Sequence, residues 1–406
     1  MAARLDFWFD YTCPYAYIAS TQVRKLARRM EAALVFQPML LGGIFRANDT
    51  PQNLSEVLIA PKLAHNERDF ARWAELFGVR LHKPHTHPMR SVEALRATIA
   101  TGLDPHVIEG FFRAYWVEGR PPSDPVTITD VVKAAGHSPE MVLSQIATDQ
   151  VKDDLRRRTD RAIALGIFGA PAFIVDEAEL FWGQDRMHFV AGAKIDDVLP
   201  PIVRGPGPVR SLELFFDFSS PFAYFGATQA EALAARTGAT LTWRPMFLGG
   251  LFKTIGQSNV PLATWSTAKQ RYYAKDMERW AAYYGVPFKW PTRFPMNTIK
   301  AMRCQLALEG TAPAAAFRDA TFRAFWGEDR DISDDAVLGE LLTGAGADAS
   351  AVLARTQTPE IKQGLIAATD QAAARGVFGA PTWIVGGEEL FWGQDRIALV
   401  ERALVR

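Results

Sequence analysis

The chain has 406 residues, which is enough for two or three domains that each bury a hydrophobic core. Its 45 basic and 45 acidic side chains cancel, which argues against an electrostatic role on nucleic acids or anionic membranes, since both need a basic face. No apolar run reaches the roughly 20 residues of a membrane span. The N-terminus has no signal-peptide core, and two cysteines are too few for a disulfide framework. We therefore predict a cytoplasmic enzyme with neither a nucleic-acid nor a membrane partner.

The same motifs occur twice in the chain. The two copies are first 207 residues apart and, after a three-residue insertion near Gly310, 210 residues apart. The matched segments are 9–17 with 216–224, 38–45 with 245–252, 166–171 with 376–381, and 180–186 with 390–396. Motifs that recur in one order indicate a tandem duplication. The breaker cluster 204–208 reads as the linker, which predicts two domains at 1–203 and 209–406.

Each repeat follows an α/β order, shown here for the second. A buried strand at 212–216 is followed by a helix that starts at Ser219-Ser220-Pro221, then by a strand at 239–244. Helical spacing dominates 262–376. The β-branched and aromatic segment 381–385 forms a hairpin with 389–391, and a last helix opens at Gln394. We predict an α/β fold with a large helical insertion.

Three motifs carry a family resemblance: Phe-Asp-x-x-Ser-Pro, Gly-x-Phe-Gly-Ala-Pro and Gly-x-Asp-Arg. In this order, and twice over, they resemble the kappa-class glutathione transferase and 2-hydroxychromene-2-carboxylate isomerase family, a relative of the DsbA oxidoreductases. The resemblance covers nearly all of each repeat. It implies a tandem duplication of a thioredoxin-like fold of the DsbA and kappa type, with glutathione as the cofactor.

Ser220 and Cys13 hold equivalent positions at the first helix start. A hydroxyl there is a favoured helix cap, and the resemblance implies that Ser220 also stabilises the glutathione thiolate. Cys13 has no partner three positions on, where Ala16 stands, so it cannot form a local disulfide. Three readings of Cys13 stay open: a thiol analogue of the serine, one-cysteine chemistry with glutathione disulfide, or a degenerate site. Cys304 reads as an inert core residue.

The resemblance also places the remaining glutathione contacts. We expect cis peptide bonds at Ala170-Pro171 and Ala380-Pro381, where the backbone of the alanine would pair with the cysteinyl part of glutathione. The γ-glutamyl end would bind at a helix start, where backbone N–H groups take a carboxylate and the aspartate takes the ammonium. The residues concerned are Gln184, Asp185, Gln394 and Asp395.

A lysine and an amide complete this set. Lys62 and Lys269 are equivalent in the two repeats and, by resemblance, would meet the glycyl carboxylate from the helical insertion. An isolated lysine is also typical of solvated surface. Asn259 resembles a residue of a glutathione-contacting loop, and the first repeat has Gln52 there.

The second-substrate pocket would differ between the repeats. Asn297 resembles a family asparagine near this pocket, whereas the first repeat has Arg90, which could accept an anionic substrate. Tyr224 could wall an aromatic pocket. The histidines near position 85 lack metal-ligand spacing, so no metal site is expected.

We therefore expect a glutathione-dependent isomerase whose thiolate adds reversibly to an aromatic, conjugated substrate of the 2-hydroxychromene-2-carboxylate type. The alternatives are a kappa-type transferase acting on electrophiles, a thiol–disulfide oxidoreductase using Cys13, and a non-catalytic glutathione-binding protein. Single-repeat family members commonly pair, which suggests that the two repeats form an intramolecular pseudo-dimer.

Overall fold

The computed structural model describes residues 3–53 and 56–406. Each repeat contains a four-stranded mixed sheet in the same strand order. The first sheet has the order β2-β1-β3-β4, with β1 parallel to β2 and antiparallel to β3. The second has the order β6-β5-β7-β8 with the same directions. The strands are β1 Arg4–Phe9, β2 Ala33–Pro38, β3 Ala172–Val175, β4 Glu179–Trp182, β5 Leu212–Phe216, β6 Leu241–Pro245, β7 Thr382–Val385 and β8 Glu389–Trp392.

Helices surround each sheet. The first repeat contains α1 Pro14–Arg29, α2 Leu41–Ala47, α3 Ala60–Leu76, α4 Val92–Ala100, α5 Pro105–Trp116, α6 Pro125–Ala134, α7 Pro139–Gln145, α8 Asp149–Ala164, α9 Met187–Val190 and α10 Ile195–Val198. The second repeat contains α11 Pro221–Thr237, α12 Leu248–Thr254, α13 Thr267–Tyr284, α14 Ile299–Ala307, α15 Pro313–Trp326, α16 Asp335–Gly344, α17 Ala349–Arg355, α18 Pro359–Ala374 and α19 Ile397–Leu404. The predicted α/β fold with a helical insertion is confirmed.

Local sequence explains where the elements begin and turn. Helix α11 starts with Pro221 directly after the capping residue Ser220, as predicted. The turn between β7 and β8 contains Gly386 and Gly387, both with positive φ, which suits a tight hairpin. The predicted strand at 239–244 lies one to two residues later in the structure, as β6.

A buried tryptophan fixes the turn that precedes the first helix of each repeat. Trp326 donates its indole N–H to the Phe218 carbonyl over 2.8 Å, and Trp116 donates to the Tyr11 carbonyl over 2.7 Å. Both indoles are fully buried, so these hydrogen bonds are shielded from water. The helical insertion therefore holds the segment that leads into the capping residue.

The inner strand β5 also carries a charged cluster. Glu213 accepts hydrogen bonds from Arg244 over 2.6 Å and from Arg375 over 2.7 and 2.9 Å. The side-chain hydrogen bonds from Arg375 are the main cause that lowers the pKa of the Glu213 carboxyl, against a smaller effect of burial.

The residues group by their contacts into two compact units that are not identical with the two repeats. Unit 1 contains residues 1–58, 67–201 and 265–272, and unit 2 contains residues 59–66, 202–264 and 273–406. Each unit thus includes eight residues that belong, in sequence, to the other repeat. The contiguous domains expected from the sequence, 1–203 and 209–406, do not contain this exchange of residues 59–66 and 265–272.

Candidate active site

The turn at the start of α11 holds Ser220 in two hydrogen bonds. Its hydroxyl oxygen accepts from the Ala223 backbone N–H over 3.1 Å, which caps the helix. The same hydroxyl donates to the Ala380 carbonyl over 2.8 Å. Only 4% of the Ser220 side chain is exposed. The hydroxyl therefore lies where the positive end of a helix faces the proline loop.

The proline loop is a cis peptide in both repeats, so this prediction is confirmed. The bonds Ala170-Pro171 and Ala380-Pro381 are both cis. The structure has two further cis prolines that the sequence analysis did not identify, at positions 88 and 295. The Pro381 carbonyl accepts a hydrogen bond from the Gly393 N–H over 3.0 Å. Two hydrogen bonds thus connect Ser220 to the proline loop, and the proline loop to the turn that follows β8.

Cys13 repeats this arrangement with weaker bonding. Its sulfur lies 3.1 Å from the Ala170 carbonyl and makes no cap hydrogen bond to α1. Burial raises the pKa of the Cys13 thiol to about 12, and the N–H groups of the first helical turn only partly offset this. Burial therefore disfavours the Cys13 thiolate more than the helix start favours it. Cys304 is fully buried, in accordance with the inert reading.

A buried aspartate is part of each site, although the sequence analysis treated it only as a motif letter. Asp217 accepts hydrogen bonds from the Leu248 N–H over 2.7 Å, the Ser219 N–H over 2.9 Å and the Thr298 hydroxyl over 2.7 Å. It therefore joins the Ser220 turn to the starts of α12 and α14. Burial raises the pKa of the Asp217 carboxyl, and these hydrogen bonds partly offset the rise. Its recurrence as Asp10 was the available signal.

The turn after β8 has the shape that the glycine in its motif requires. Gly393 has φ of 107°, and a Cβ there would lie 2.5 Å from the Asp395 carboxylate. The Trp392 indole covers Gly379, where a Cβ would lie 2.5 Å from Nε1. The two motifs are therefore fitted to each other in space. Gln394 is buried within the short 3₁₀ turn that precedes α19.

The first repeat has the same turn at 183–186. Gln184 and Asp185 lie in a 3₁₀ turn, and Arg186 forms an ion pair with Asp185 over 3.1 Å. The Gln184 Nε2 atom is buried with no hydrogen-bond partner among the described residues. A buried amide nitrogen without a partner is uncommon in folded proteins.

The two predicted lysines lie in units opposite to their repeats. In unit 2 the Lys62 ammonium lies 5.2 Å from the ring centroid of Trp392, and burial lowers its pKa. In unit 1 the Lys269 ammonium lies 5.9 Å from the ring centroid of Trp182. Lys62 of the first repeat therefore lies near the end of β8 in unit 2. Lys269 of the second repeat lies near the end of β4 in unit 1.

Asn259 lines an open cavity of about 450 Å³ in unit 2. The other lining residues are Phe247, Gly249, Lys253 and Gln257. This volume lies within the range of small-molecule sites. In the first repeat, the Gln52 amide instead donates to the Gly42 carbonyl over 3.1 Å and covers that glycine.

The three residues predicted for the second-substrate pocket, Asn297, Arg90 and Tyr224, differ in their surroundings. Asn297 is exposed, and its side-chain oxygen accepts from the Ile299 N–H over 3.1 Å at the start of α14. Arg90 is exposed and paired with Glu93 over 2.7 Å. The Tyr224 ring is buried and its hydroxyl donates to the Pro287 carbonyl over 2.7 Å. Its place in the wall of an aromatic pocket stays a prediction.

Within 3–53 and 56–406, no three His, Cys, Asp or Glu side chains are grouped so that they could hold a metal ion. In the same ranges, no helix combines the length and the hydropathy that crossing a membrane requires.

The chain is similar to a family of known domains and to several known proteins. A family model described as the DSBA-like thioredoxin domain matches residues 4–193 and again 211–405. A 2-hydroxychromene-2-carboxylate isomerase of Sphingobium xenophagum is 30% identical over 202 residues, which are 48% of this chain and 98% of that protein. The enzyme of the same name from Pseudomonas putida is 31% identical over 204 residues, 48% of this chain and 94% of that protein.

More distant matches agree in extent. Glutathione S-transferase kappa 1 of Homo sapiens is 26% identical over 214 residues, 49% of this chain and 92% of that protein. A solved structure of a 2-hydroxychromene-2-carboxylate isomerase is 28% identical, covers 47% of this chain and 93% of its own, and has a TM-score of 0.43. For the three relatives compared by sequence, nearly the whole relative corresponds to about half of this chain, as expected of a duplicated protein.

Proposed function

Because the chain belongs to the family of DSBA-like thioredoxin domains, we propose that its second repeat carries a glutathione-dependent isomerase site of the 2-hydroxychromene-2-carboxylate isomerase type. The observation that carries the proposal is the Ser220 hydroxyl, held at the start of α11 against the carbonyl that precedes the cis-proline. The most similar relatives named above are isomerases and glutathione transferases, and all of them are enzymes.

The residues of unit 2 fit the parts of glutathione. A thiolate needs hydrogen-bond donors and positive potential, and Ser220 stands at a helix N-terminus that offers both. The turn of Gln394 and Asp395 would take the γ-glutamyl end, since it combines a carboxylate with the start of a 3₁₀ turn. The Lys62 ammonium supplies a cation for one of the two carboxylates. Ala380 would offer its backbone to the cysteinyl part.

Bound glutathione would supply a thiolate that adds reversibly to a conjugated, aromatic substrate. The chain's own contribution is electrostatic and positional. To stabilise the sulfur, the Ser220 hydroxyl turns its proton away from the Ala380 carbonyl, while its oxygen keeps the cap to Ala223. Asp217 holds the turn rigid through its three hydrogen bonds. Asn259, which lines the cavity in unit 2, would contact glutathione, and Asn297 at the start of α14 would contact the second substrate.

The first repeat is proposed as a weaker site. Its Cys13 thiol stays protonated near neutral pH, since its pKa is about 12. Lys269, Gln184 and Asp185 would still allow glutathione to bind beside the Ala170-Pro171 bond. Arg90 would favour an anionic substrate only after release from Glu93.

Titration calorimetry with glutathione tests the proposal on wild type, Ser220→Ala and Cys13→Ala. We expect Ser220→Ala to weaken the tighter site while the weaker one is unchanged, and Cys13→Ala to have little effect on the tighter one. Glutathione that binds to neither repeat of the wild-type chain would refute the proposal.

Turnover distinguishes the alternatives at the same site. An isomerase returns glutathione, whereas a kappa-type transferase consumes one molecule for each product. Binding without turnover over a panel of electrophiles would favour the non-catalytic alternative. The oxidoreductase alternative has the least support, because the one thiol at a helix start is buried and neutral. Insulin reduction that is lost in Cys13→Ser would restore it.

Two further parts of the proposal concern the whole chain. We keep the intramolecular pseudo-dimer of the two repeats as a prediction, which small-angle scattering of the full chain would test. A cytoplasmic location likewise stays a prediction, to be checked by cell fractionation.

A further inference from the structure

The exchanged segments carry one buried ring each. Residues 59–66 belong to unit 2 and contain His65, and residues 265–272 belong to unit 1 and contain Tyr272. His65 and Tyr272 are equivalent positions, 207 residues apart. Each is only 5% exposed. A histidine and a tyrosine thus perform the same structural task in opposite units.

In unit 2, His65 lies between the two loops of the candidate site. Its Nε2 atom accepts a hydrogen bond from the Trp392 backbone N–H over 3.1 Å. Its ring packs edge-on against Phe378 at 5.5 Å and Trp392 at 6.3 Å between centroids. Phe378 precedes the cis-proline, and Trp392 precedes the turn that contains Asp395. His65 therefore contacts both loops that would hold glutathione.

In unit 1, Tyr272 makes the same contacts with different atoms. Its hydroxyl accepts from the Trp182 backbone N–H over 3.0 Å. Its ring lies 5.4 Å from Phe168 and 6.4 Å from Trp182 between centroids. An imidazole and a phenol thus accept a hydrogen bond from equivalent backbone N–H groups, those of Trp392 and Trp182. This indicates that the position requires a hydrogen-bond acceptor rather than a particular residue type.

The position of the Trp392 N–H explains why it needs an acceptor from outside its hairpin. Among the described residues, strand β8 is the outer strand of its sheet, with β7 as its hydrogen-bonded neighbour. The neighbouring Gly393 N–H bonds to the Pro381 carbonyl within this hairpin. The Trp392 N–H has its acceptor in His65 instead, and a buried N–H without an acceptor is costly. Loss of the acceptor would therefore loosen the loop at Trp392, next to Asp395.

We propose that His65 and Tyr272 are positioning residues, each for the glutathione site built mainly by the opposite repeat. His65 fixes the Trp392–Asp395 loop of the Ser220 site, and Tyr272 fixes the equivalent loop of the Cys13 site. One repeat alone would then lack part of its own site. The proposal rests on the proposed function for its ligand, but the loop positioning can be measured without glutathione.

The test is hydrogen–deuterium exchange on the full chain, with and without glutathione, for wild type, His65→Phe, His65→Tyr and Tyr272→Phe. Phenylalanine keeps a ring and removes the acceptor. We expect His65→Phe to speed exchange in 389–396 about tenfold and to remove the protection that glutathione gives there, with 179–186 unchanged. Tyr272→Phe should do the reverse. His65→Tyr should return 389–396 to within about threefold of wild type, because Tyr272 already performs this task.

The crossed pattern decides the outcome. If His65→Phe leaves exchange in 389–396 at the wild-type rate, or loosens 179–186 instead, the positioning role is overturned. A global rise in exchange that His65→Tyr does not reverse would also overturn it, since it would indicate a general packing defect. If wild type shows no protection by glutathione but the crossed pattern in the free protein persists, the proposed function fails and the positioning role stands.

Discussion

Replacement of Ser220 by alanine removes two hydrogen bonds at once. The cap to the Ala223 N–H is worth about 1 kcal/mol. The bond to the buried Ala380 carbonyl adds about 1–2 kcal/mol, because the carbonyl is left without its donor. We expect Ser220→Ala to lose about 2–3 kcal/mol, or roughly 6–9 °C in the melting temperature of unit 2. Thermal unfolding followed by circular dichroism measures this shift.

Cys13 provides the matched controls for this experiment. Cys13→Ala removes a side chain that makes no cap, so we expect a loss of only about 1 kcal/mol. Cys13→Ser should gain the missing cap and stabilise α1 by about 0.5–1 kcal/mol, since it copies the arrangement of Ser220. The reasoning is refuted if Ser220→Ala is no less stable than Cys13→Ala, or if Cys13→Ser is less stable than wild type.

Three further predictions follow from packing and charge. Gly379→Ala should destabilise by at least about 2 kcal/mol, because its Cβ meets the Trp392 indole, whereas Gly339→Ala on α16 has open space and should stabilise by about 0.5–1 kcal/mol; thermal melts of both check the contrast. Cys13 and Cys304 should react with a thiol reagent at pH 8 only after denaturation, because burial raises the pKa of each to about 12; a fast thiol in the native protein would contradict this. Glu213→Gln should lose about 1–3 kcal/mol at pH 7. Because the folded pKa of this carboxyl is lowered from 4.5, the difference from wild type should be full above pH 4.5 and vanish as the pH falls through the folded value, as urea unfolding at several pH values would show.

Local sequence was sufficient for much of the site. Some residue types favour a local structure through their own φ angles and hydrogen-bonding groups. Here they are the capping serine, the proline after it and the glycine pair of the hairpin. Ser220 was therefore placed correctly at a helix start, and the β7–β8 hairpin at its turn. The recurrence of whole motifs added the duplication and, through resemblance, the cis-prolines.

Burial was the property that the sequence did not report. The sequence left three readings of Cys13 open, and the surrounding core raises the pKa of its thiol. The residue type of Tyr224 likewise does not show that its ring is buried and its hydroxyl bonded to Pro287. Asp217 was seen as a motif letter, although its three partners come from three different segments. Each of these properties depends on residues distant in sequence, which no local pattern reports.

The amino-acid sequence by itself determined the duplicated α/β architecture and the residue types at each helix start, because repeats, caps and turn residues act over a few positions. Only the tertiary structure decided that residues 59–66 complete unit 2 and residues 265–272 complete unit 1. The hydrogen bond between His65 and Trp392 joins residues 327 positions apart. The Trp392 N–H lies on an outer strand, so its acceptor comes from a segment that is distant in sequence. Contacts of that range arise from packing, so they become visible only when the chain is folded.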